Sequence, residues 1–441
     1  IWTVLQKIPT PKLQTLVQDQ GNTYYQQGWV ELALIYRQSF RGDVLSNSLA
    51  DWNTIWQSHP ARTTPPEMGS PEDVGTITAG KIGVLLPASG KLAAAGQAIR
   101  EGLTSAYYQQ LTQGNSVPLL VFIDSETINT VDDVKSAIAE HELEFIIGPL
   151  EKRLVSTLNQ ATDLPIPVLA LNYDQDANIN QIFQFGLAPE DEARQAAELA
   201  WQEGHRAALA LTPQTGWGNR VSNAFKDTFE LLGGTVTGAV SYGDQRSLSE
   251  DISFLLETDK SEERAKSVGQ LTNLRMEFEE RRRDDASIIF LSATPQNARQ
   301  ILPILAFHFA GDLPVLSSSH IFSGTENAQA DRDLNGVRFV TTPWTIQTNS
   351  ATKQALSAIR NTNSRYASLY ALGADAFSLF PHLNQLNIDP SHSIQGETGK
   401  LSIDGDKRIR RTLEWAQFNQ GTPQILQTQT TKTTGIVNAT Q

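Results

Sequence analysis

The sequence predicts an α/β protein of two lobes, each built on a doubly wound parallel sheet, preceded by a short all-α segment. Three observations carry this. Uninterrupted short apolar runs alternate with amphipathic helices from about residue 80, the same alternation starts again near residue 190, and the period before residue 60 is helical throughout.

In the first 60 residues, Tyr25, Trp29, Leu32 and Tyr36 fall at steps of four, three and four, and Leu45, Leu49, Trp52 and Trp56 repeat that spacing. Each run gives a helix one apolar stripe. A turn near Arg41-Gly42-Asp43 joins them into a hairpin with an aromatic seam. One hairpin cannot bury its own face, so it is either the end of a helical repeat array or a cap on the next domain. His59-Pro60 and the stretch Thr63 to Pro71 hold four prolines and little to pack, which makes residues 61–78 a linker.

Lys81 to Leu86, Leu119 to Ile123, Phe145 to Ile147 and Val168 to Leu171 have the length and continuity of parallel strands covered on both faces. Leu92, Ala95, Ile99, Leu103 and Ala106 stripe the helix between the first two, giving a βαβ crossover. The second series has a helix over Arg194 to Trp201, strands at Ala207 to Leu211, Val236 to Val240, Ser287 to Leu291 and Leu313 to Leu316, and a helix from Val221 to Leu232 stopped by Gly233-Gly234. Two such sheets imply two lobes with a cleft between them, where ligands bind beyond the carboxyl ends of the strands.

Composition narrows the function. Thirty-five basic against 48 acidic side chains give a net charge of −13, which repels phosphate backbones and excludes nucleic acid as a partner. Without cysteine there is no disulfide, thiolate metal site or cysteine nucleophile. The seven histidines show neither H-x-x-x-H nor H-E-x-x-H spacing, and there is no G-x-S-x-G elbow, so no cofactor, metal site or catalytic residue is expected. Ile1 to Leu5 lack the basic run and cleavage site of a signal peptide, so a precursor segment with any membrane anchor is expected upstream.

Candidate contacts remain. Ser89 and Gly90 follow the first strand at a helix N-terminus, where amides and a hydroxyl could hold a carboxylate or Ser89 could simply cap the helix. Asn172, Tyr173 and Asp174 follow the VLAL strand, with a ring for stacking and a carboxylate for an amine. On the second lobe Trp217, between two glycines ahead of a helix, is either a lid over a ligand or a lobe contact. Glu257 to Asp285 carry sixteen charges in twenty-nine residues and read as a long solvated helix, whose Arg281, Arg282 and Arg283 either bind an acidic partner or fix the lobe through buried pairs.

Lys81 to Gly90 with Gly96 and Gly102, then Ile146-Ile147-Gly148-Pro149, then Tyr366 to Ala376, resemble in order and spacing the type I periplasmic solute-binding proteins. Gly396-Glu397-Thr398-Gly399-Lys400-Leu401-Ser402-Ile403-Asp404, continuing through Arg408, Arg410, Arg411, Leu413 and Trp415 to Phe418, together with Phe278 to Asp284, is similar to the LpoA family of penicillin-binding protein activators and not to transport receptors. The resemblance implies that residues 1–60 end a tetratricopeptide-like domain and that 79–441 is the two-lobed domain. One lobe would take 80–187 and 346–395, the other 188–345 and 396–425. It also implies an outer-membrane lipoprotein, its lipid-bearing cysteine outside this sequence, at the inner face of that membrane. There it would stimulate the transpeptidase of a class A bifunctional penicillin-binding protein. A solute receptor for an amino acid or peptidoglycan fragment is the alternative, and a hydrolase a distant third. Residues 419–441, rich in Gln, Thr and Asn, are expected to be ordered only where they dock.

Overall fold

The structure, a computed structural model, describes residues 1–5, 8, 10–19, 21–38, 42–64, 77, 79–161, 164–174, 182–243, 246–272, 280–347, 350–388 and 392–426. Most of the predicted linker, Arg41 of the predicted turn, the side chains of Tyr36 and Leu45, Phe278, Glu279 and the tail beyond 426 lie outside the described residues. The chain forms two compact units, Ile1–Asp191 with Thr342–Thr412, and Glu192–Thr341 with the residues from Leu413 on.

The first unit opens with helices Trp2–Leu5, Thr10–Val17, Tyr24–Gln38 and Gly42–Ile55. Helix Tyr24–Gln38 has two apolar sides. Val30 and Ala33 close a small core with Leu5 and Leu13, and Leu32 closes another with Trp52, Trp56 and Ala61. The aromatic seam is organised around His59, which is buried with its ring centroid 5.1 Å from those of both Trp29 and Trp52. Its Nδ1 accepts the Ala61 N–H at 3.2 Å, capping helix Pro60–Thr63, so Nε2 carries the proton and donates to the Tyr25 carbonyl at 3.0 Å. Tyr25 itself is exposed rather than part of the buried stripe.

Strands β1 (Lys81–Leu86), β2 (Leu119–Asp124), β3 (Phe145–Ile147), β4 (Val168–Ala170) and the short β5 (Phe183–Gln184) form a parallel sheet in the order β2-β1-β3-β4-β5. One face is covered by helix Ala93–Thr112, which crosses helix Ala367–Leu379 unusually closely. A Cβ on Gly102 would stand 1.9 Å from the Tyr370 carbonyl, and one on Gly373 would stand 2.0 Å from that of Ile99. Each helix thus needs a glycine where the other's backbone passes.

The chain then enters the second unit, where β6 (Ala207–Pro213), β7 (Thr235–Tyr242), β8 (Ile288–Leu291), β9 (Val315–Ser317) and β10 (Arg338–Thr341) are parallel in the order β7-β6-β8-β9-β10. That is the first unit's order over again, each with its switch point between the first and third strands. The core stacks Phe225 between Phe290 at 4.4 Å and Phe229 at 5.6 Å. Back in the first unit, β11 (Ile394–Gln395), β12 (Lys400–Ile403) and β13 (Ile409–Thr412) make a small antiparallel sheet. Finally β14 (Glu414–Asn419) and β15 (Thr422–Ile425) extend the second sheet antiparallel beyond β10.

Three local expectations are corrected. Residues 396–412, expected with the second lobe, belong to the first unit, because Leu401, Ile403 and Ile409 complete its core beside Leu383 and Leu386. The charged segment is not one helix to Asp285. Its helix is described over Thr258–Thr272, and the chain returns with the Arg281 N–H on Ser261 Oγ at 3.2 Å and the Arg283 N–H on the Leu256 carbonyl at 2.9 Å. The helix expected from Val221 begins at Gly216, since Thr215 Oγ1 accepts the Gly218 N–H at 3.0 Å.

Candidate functional site

At the carboxyl end of β1, the loop carrying Ser89 and Gly90 does hold a carboxylate, but an internal one. Asp124, the last residue of β2, accepts the Ala88 N–H and the Ser89 hydroxyl, each at 2.9 Å. The Ala88 amide above all holds the Asp124 carboxyl below its ordinary range, with burial opposing it. Ser89 does not cap helix Ala93–Thr112, whose N-terminus has no side-chain cap. Gly90 adopts φ +72°, a conformation glycine takes without strain.

The loop after β4 is tied to the return segment of the same unit. Asn172 donates to the Leu150 carbonyl at 2.9 Å, and Tyr173 donates its hydroxyl to the Ile409 carbonyl at 2.5 Å. Burial, helped by the charge of Asp191, pushes the Tyr173 phenol well above its usual range. Asp174 is 6% exposed. Its two oxygens accept Ser156 Oγ and Asn159 Nδ2, each at 2.8 Å, and its carbonyl accepts Arg408 Nη2 at 3.1 Å. A carboxylate so engaged fixes its own loop rather than displaying itself to an amine. Around it, Arg410 pairs with Asp404 at 2.8 Å and with Asp191 at 3.2 Å, and these two acids hold its guanidinium above the ordinary range although burial works the other way.

Asp375 is the polar residue that sequence reasoning missed. It is buried in helix Ala367–Leu379 and accepts the backbone N–H of Glu397 at 2.6 Å and, from Thr398, the N–H at 2.7 Å and the hydroxyl at 2.6 Å. The G-E-T-G segment is therefore a turn folded round one carboxylate. A Cβ on Gly396 would lie 2.7 Å from either Asp375 oxygen, which explains the glycine there. Burial pushes the Asp375 carboxyl up to about 7 against the pull of its three donors. Glu397, also raised by burial, accepts from Ser350 and feels Lys353. A lone Asp in an otherwise apolar helix was the signal available in the sequence.

In the second unit, Trp217 is half-buried in the first turn of helix Gly216–Leu231, its ring centroid 4.9 Å from that of His320. Gly218 beside it is required, because a Cβ would lie 1.9 Å from the Pro213 carbonyl. Gly96 stands in the same relation to Pro87 in the first unit, at 2.1 Å. Of the three arginines, Arg283 forks onto Asp285 at 2.6 and 2.7 Å and reaches the Thr237 carbonyl at 3.0 Å, while Arg282 meets Asp312 at 2.7 Å. Arg281 is exposed, and its guanidinium has no partner among the described residues.

Two units with the same strand order, entered and re-entered by one chain through three crossings, define a protein of the type I periplasmic-binding-protein class. A solved "putative branched-chain amino acid ABC transporter" from Chromobacterium violaceum is similar in fold, with a TM-score of 0.57 over 77% of this chain and 99% of that one at 22% identity. The chain belongs to the family described as "LppC putative lipoprotein", whose model matches residues 1–421. It is 30% identical over 416 residues to the penicillin-binding protein activator LpoA of Vibrio antiquarius, covering 91% of this chain and 68% of that one. To LpoA of Photobacterium profundum it is 26% identical, covering 95% and 69%. The crystal structure of full-length LpoA from Haemophilus influenzae matches with a TM-score of 0.67 and 27% identity over 96% of this chain and 73% of that one. Its C-domain, described as a regulator of PBP1A, matches with a TM-score of 0.63 and 27% identity over 78% of this chain and 99% of that one.

Proposed function

We propose that this protein binds a class A penicillin-binding protein and raises its transpeptidase rate, performing no chemistry of its own. What supports the reading best is the match to the Haemophilus C-domain, a regulator by its own description, over almost that domain's whole length. An activator of this kind works by binding the active form of its partner better than the inactive one. A preference of about 1.4 kcal/mol already shifts that equilibrium tenfold.

In the same reading residues 1–60 end a tetratricopeptide-like domain, and the protein acts in the periplasm from the inner face of the outer membrane, held by a lipid. Membership of a lipoprotein family supports this, and no described helix is long and apolar enough to cross a membrane. Arg281 stays a candidate for an acidic partner surface, because Arg282 and Arg283 already serve Asp312 and Asp285. A small-molecule receptor of the same fold is less well supported, since the Ser89 hydroxyl and both Asp174 oxygens are engaged within their own unit.

Sedimentation velocity of the chain mixed with a purified class A penicillin-binding protein tests the binding half of the proposal. A faster-sedimenting complex at micromolar concentration is expected. Two unchanged species would remove the proposal, and a small molecule retained by the purified protein in native mass spectrometry would move the receptor reading ahead of it.

A further inference from the structure

Phe122 lies on β2, the edge strand of the first unit's sheet, so no further strand covers that side and its ring stays half-exposed. The Arg100 guanidinium stands 4.1 Å from the centre of this ring. Both residues line a groove of about 910 Å³ between helices Ala93–Thr112 and Ala351–Ser357. Tyr108 and Ile359 also line it, 58% and 79% exposed. One exposed apolar side chain is ordinary surface, whereas here three gather around a single groove.

The charge in this groove is uneven. Glu101 is neutralised by Arg360 at 2.7 Å and accepts Gln97 at 2.8 Å. Arg100, by contrast, has no carboxylate within ion-pair distance among the described residues and rests only on the ring. An unopposed cation therefore sits over an apolar floor in a chain whose net charge is −13. The volume falls in the range of pockets that enclose a drug-sized ligand, so the groove has room for side chains and not merely for an ion. Arginine backed by an aromatic ring, in a pocket a partner can seal from water, is also the chemistry that dominates binding energy at protein interfaces.

We propose that this groove seats an acidic, apolar segment of the penicillin-binding protein. One aliphatic or aromatic side chain of that segment enters between Tyr108, Phe122 and Ile359, and a neighbouring carboxylate pairs with Arg100. The proposal rests on the activator reading above and adds the surface that reading lacks. Sealing by the apolar residue strengthens the ion pair, and the ion pair selects which apolar segment is accepted.

The test measures the affinity of the full chain for the purified penicillin-binding protein at two salt concentrations, for the wild type, Arg100→Glu, Ile359→Asp and the control Leu231→Asp. Leu231 is 87% exposed on the second unit. Arg100→Glu and Ile359→Asp should each weaken binding at least tenfold with unchanged melting temperatures, Leu231→Asp should match the wild type, and the salt dependence should shrink in Arg100→Glu. A photo-crosslinker at position 359 should attach to the penicillin-binding protein at a segment containing Asp or Glu. If the wild type binds but both groove variants bind equally well, or the crosslink joins two copies of this chain, the groove proposal is overturned and the activator reading stands. If the wild type itself does not bind, both fall.

Discussion

The carboxylate of Asp375 and residue Thr398 are joined by two hydrogen bonds, from the threonine amide at 2.7 Å and its hydroxyl at 2.6 Å, both to Oδ2, while Oδ1 takes the Glu397 amide. A helix buried in the first unit is thereby locked to the turn that opens its antiparallel sheet. In Asp375→Asn one oxygen becomes an NH2 donor facing an N–H donor. The expected cost is about 1–3 kcal/mol in chemical denaturation, the scale for a buried donor left without its acceptor.

That cost should depend on pH with a definite sign. The Asp375 carboxyl is raised from 3.8 to about 7 in the folded protein, so between those values the folded state holds a proton the unfolded state has lost. The wild type then loses stability as pH rises from about 4 to 7, by up to about 1.4 kcal/mol per pH unit, whereas Asp375→Asn does not titrate there. Melting curves should give a larger penalty for Asp375→Asn at pH 5 than at pH 8. A larger penalty at pH 8 would mean the carboxyl stays ionised and its three donors outweigh burial.

Gly216 and Gly218 form a paired test of close packing at the end of β6. Nothing lies within 4 Å of a Cβ at Gly216, whereas one at Gly218 meets the Pro213 carbonyl at 1.9 Å. Gly218→Ala should destabilise by about 1–3 kcal/mol through forced backbone displacement. Gly216→Ala, in the helix's first turn, should be neutral or stabilising by up to about 1 kcal/mol. Equal effects in thermal unfolding would contradict this packing.

The arginine run divides by what each side chain touches. Arg283 is mostly buried and anchored on the Thr237 carbonyl as well as on the exposed Asp285, so Arg283→Ala should cost about 1–3 kcal/mol by removing its packed stem and leaving that carbonyl without its donor. Arg281→Ala should change stability by less than about 0.5 kcal/mol, as an exposed substitution. Urea titrations of the two variants separate these roles, and a stability loss in Arg281→Ala as large as that in Arg283→Ala would show that both guanidiniums brace the unit.

The central strands of both sheets were legible because buried parallel strands are continuous apolar runs: β1 over Lys81–Leu86 and β3 over Phe145–Ile147 match the runs that predict them. β10, β14 and β15 were not legible. Arg338–Thr341 is a mixed four-residue run, and Glu414–Asn419 and Thr422–Ile425 show neither a continuous apolar run nor a strict alternation. The candidate loops were located correctly at strand ends, but their hydrogen bonds depend on residues far along the chain. Asp124 satisfies Ser89, and Ile409 satisfies Tyr173. Asp375 escaped notice because its partners lie 22 and 23 residues away, on a turn whose folding cannot be read from spacing.

The central claim, that this chain activates a peptidoglycan synthase without chemistry of its own, is tested most directly by mixing it with a class A penicillin-binding protein and lipid-linked substrate and measuring cross-linked muropeptides. More cross-linked product is expected with the chain than without it, saturating as the synthase is titrated, and no product from the chain and substrate alone. Unchanged cross-linking at saturating chain, or product formed without the synthase, would contradict it.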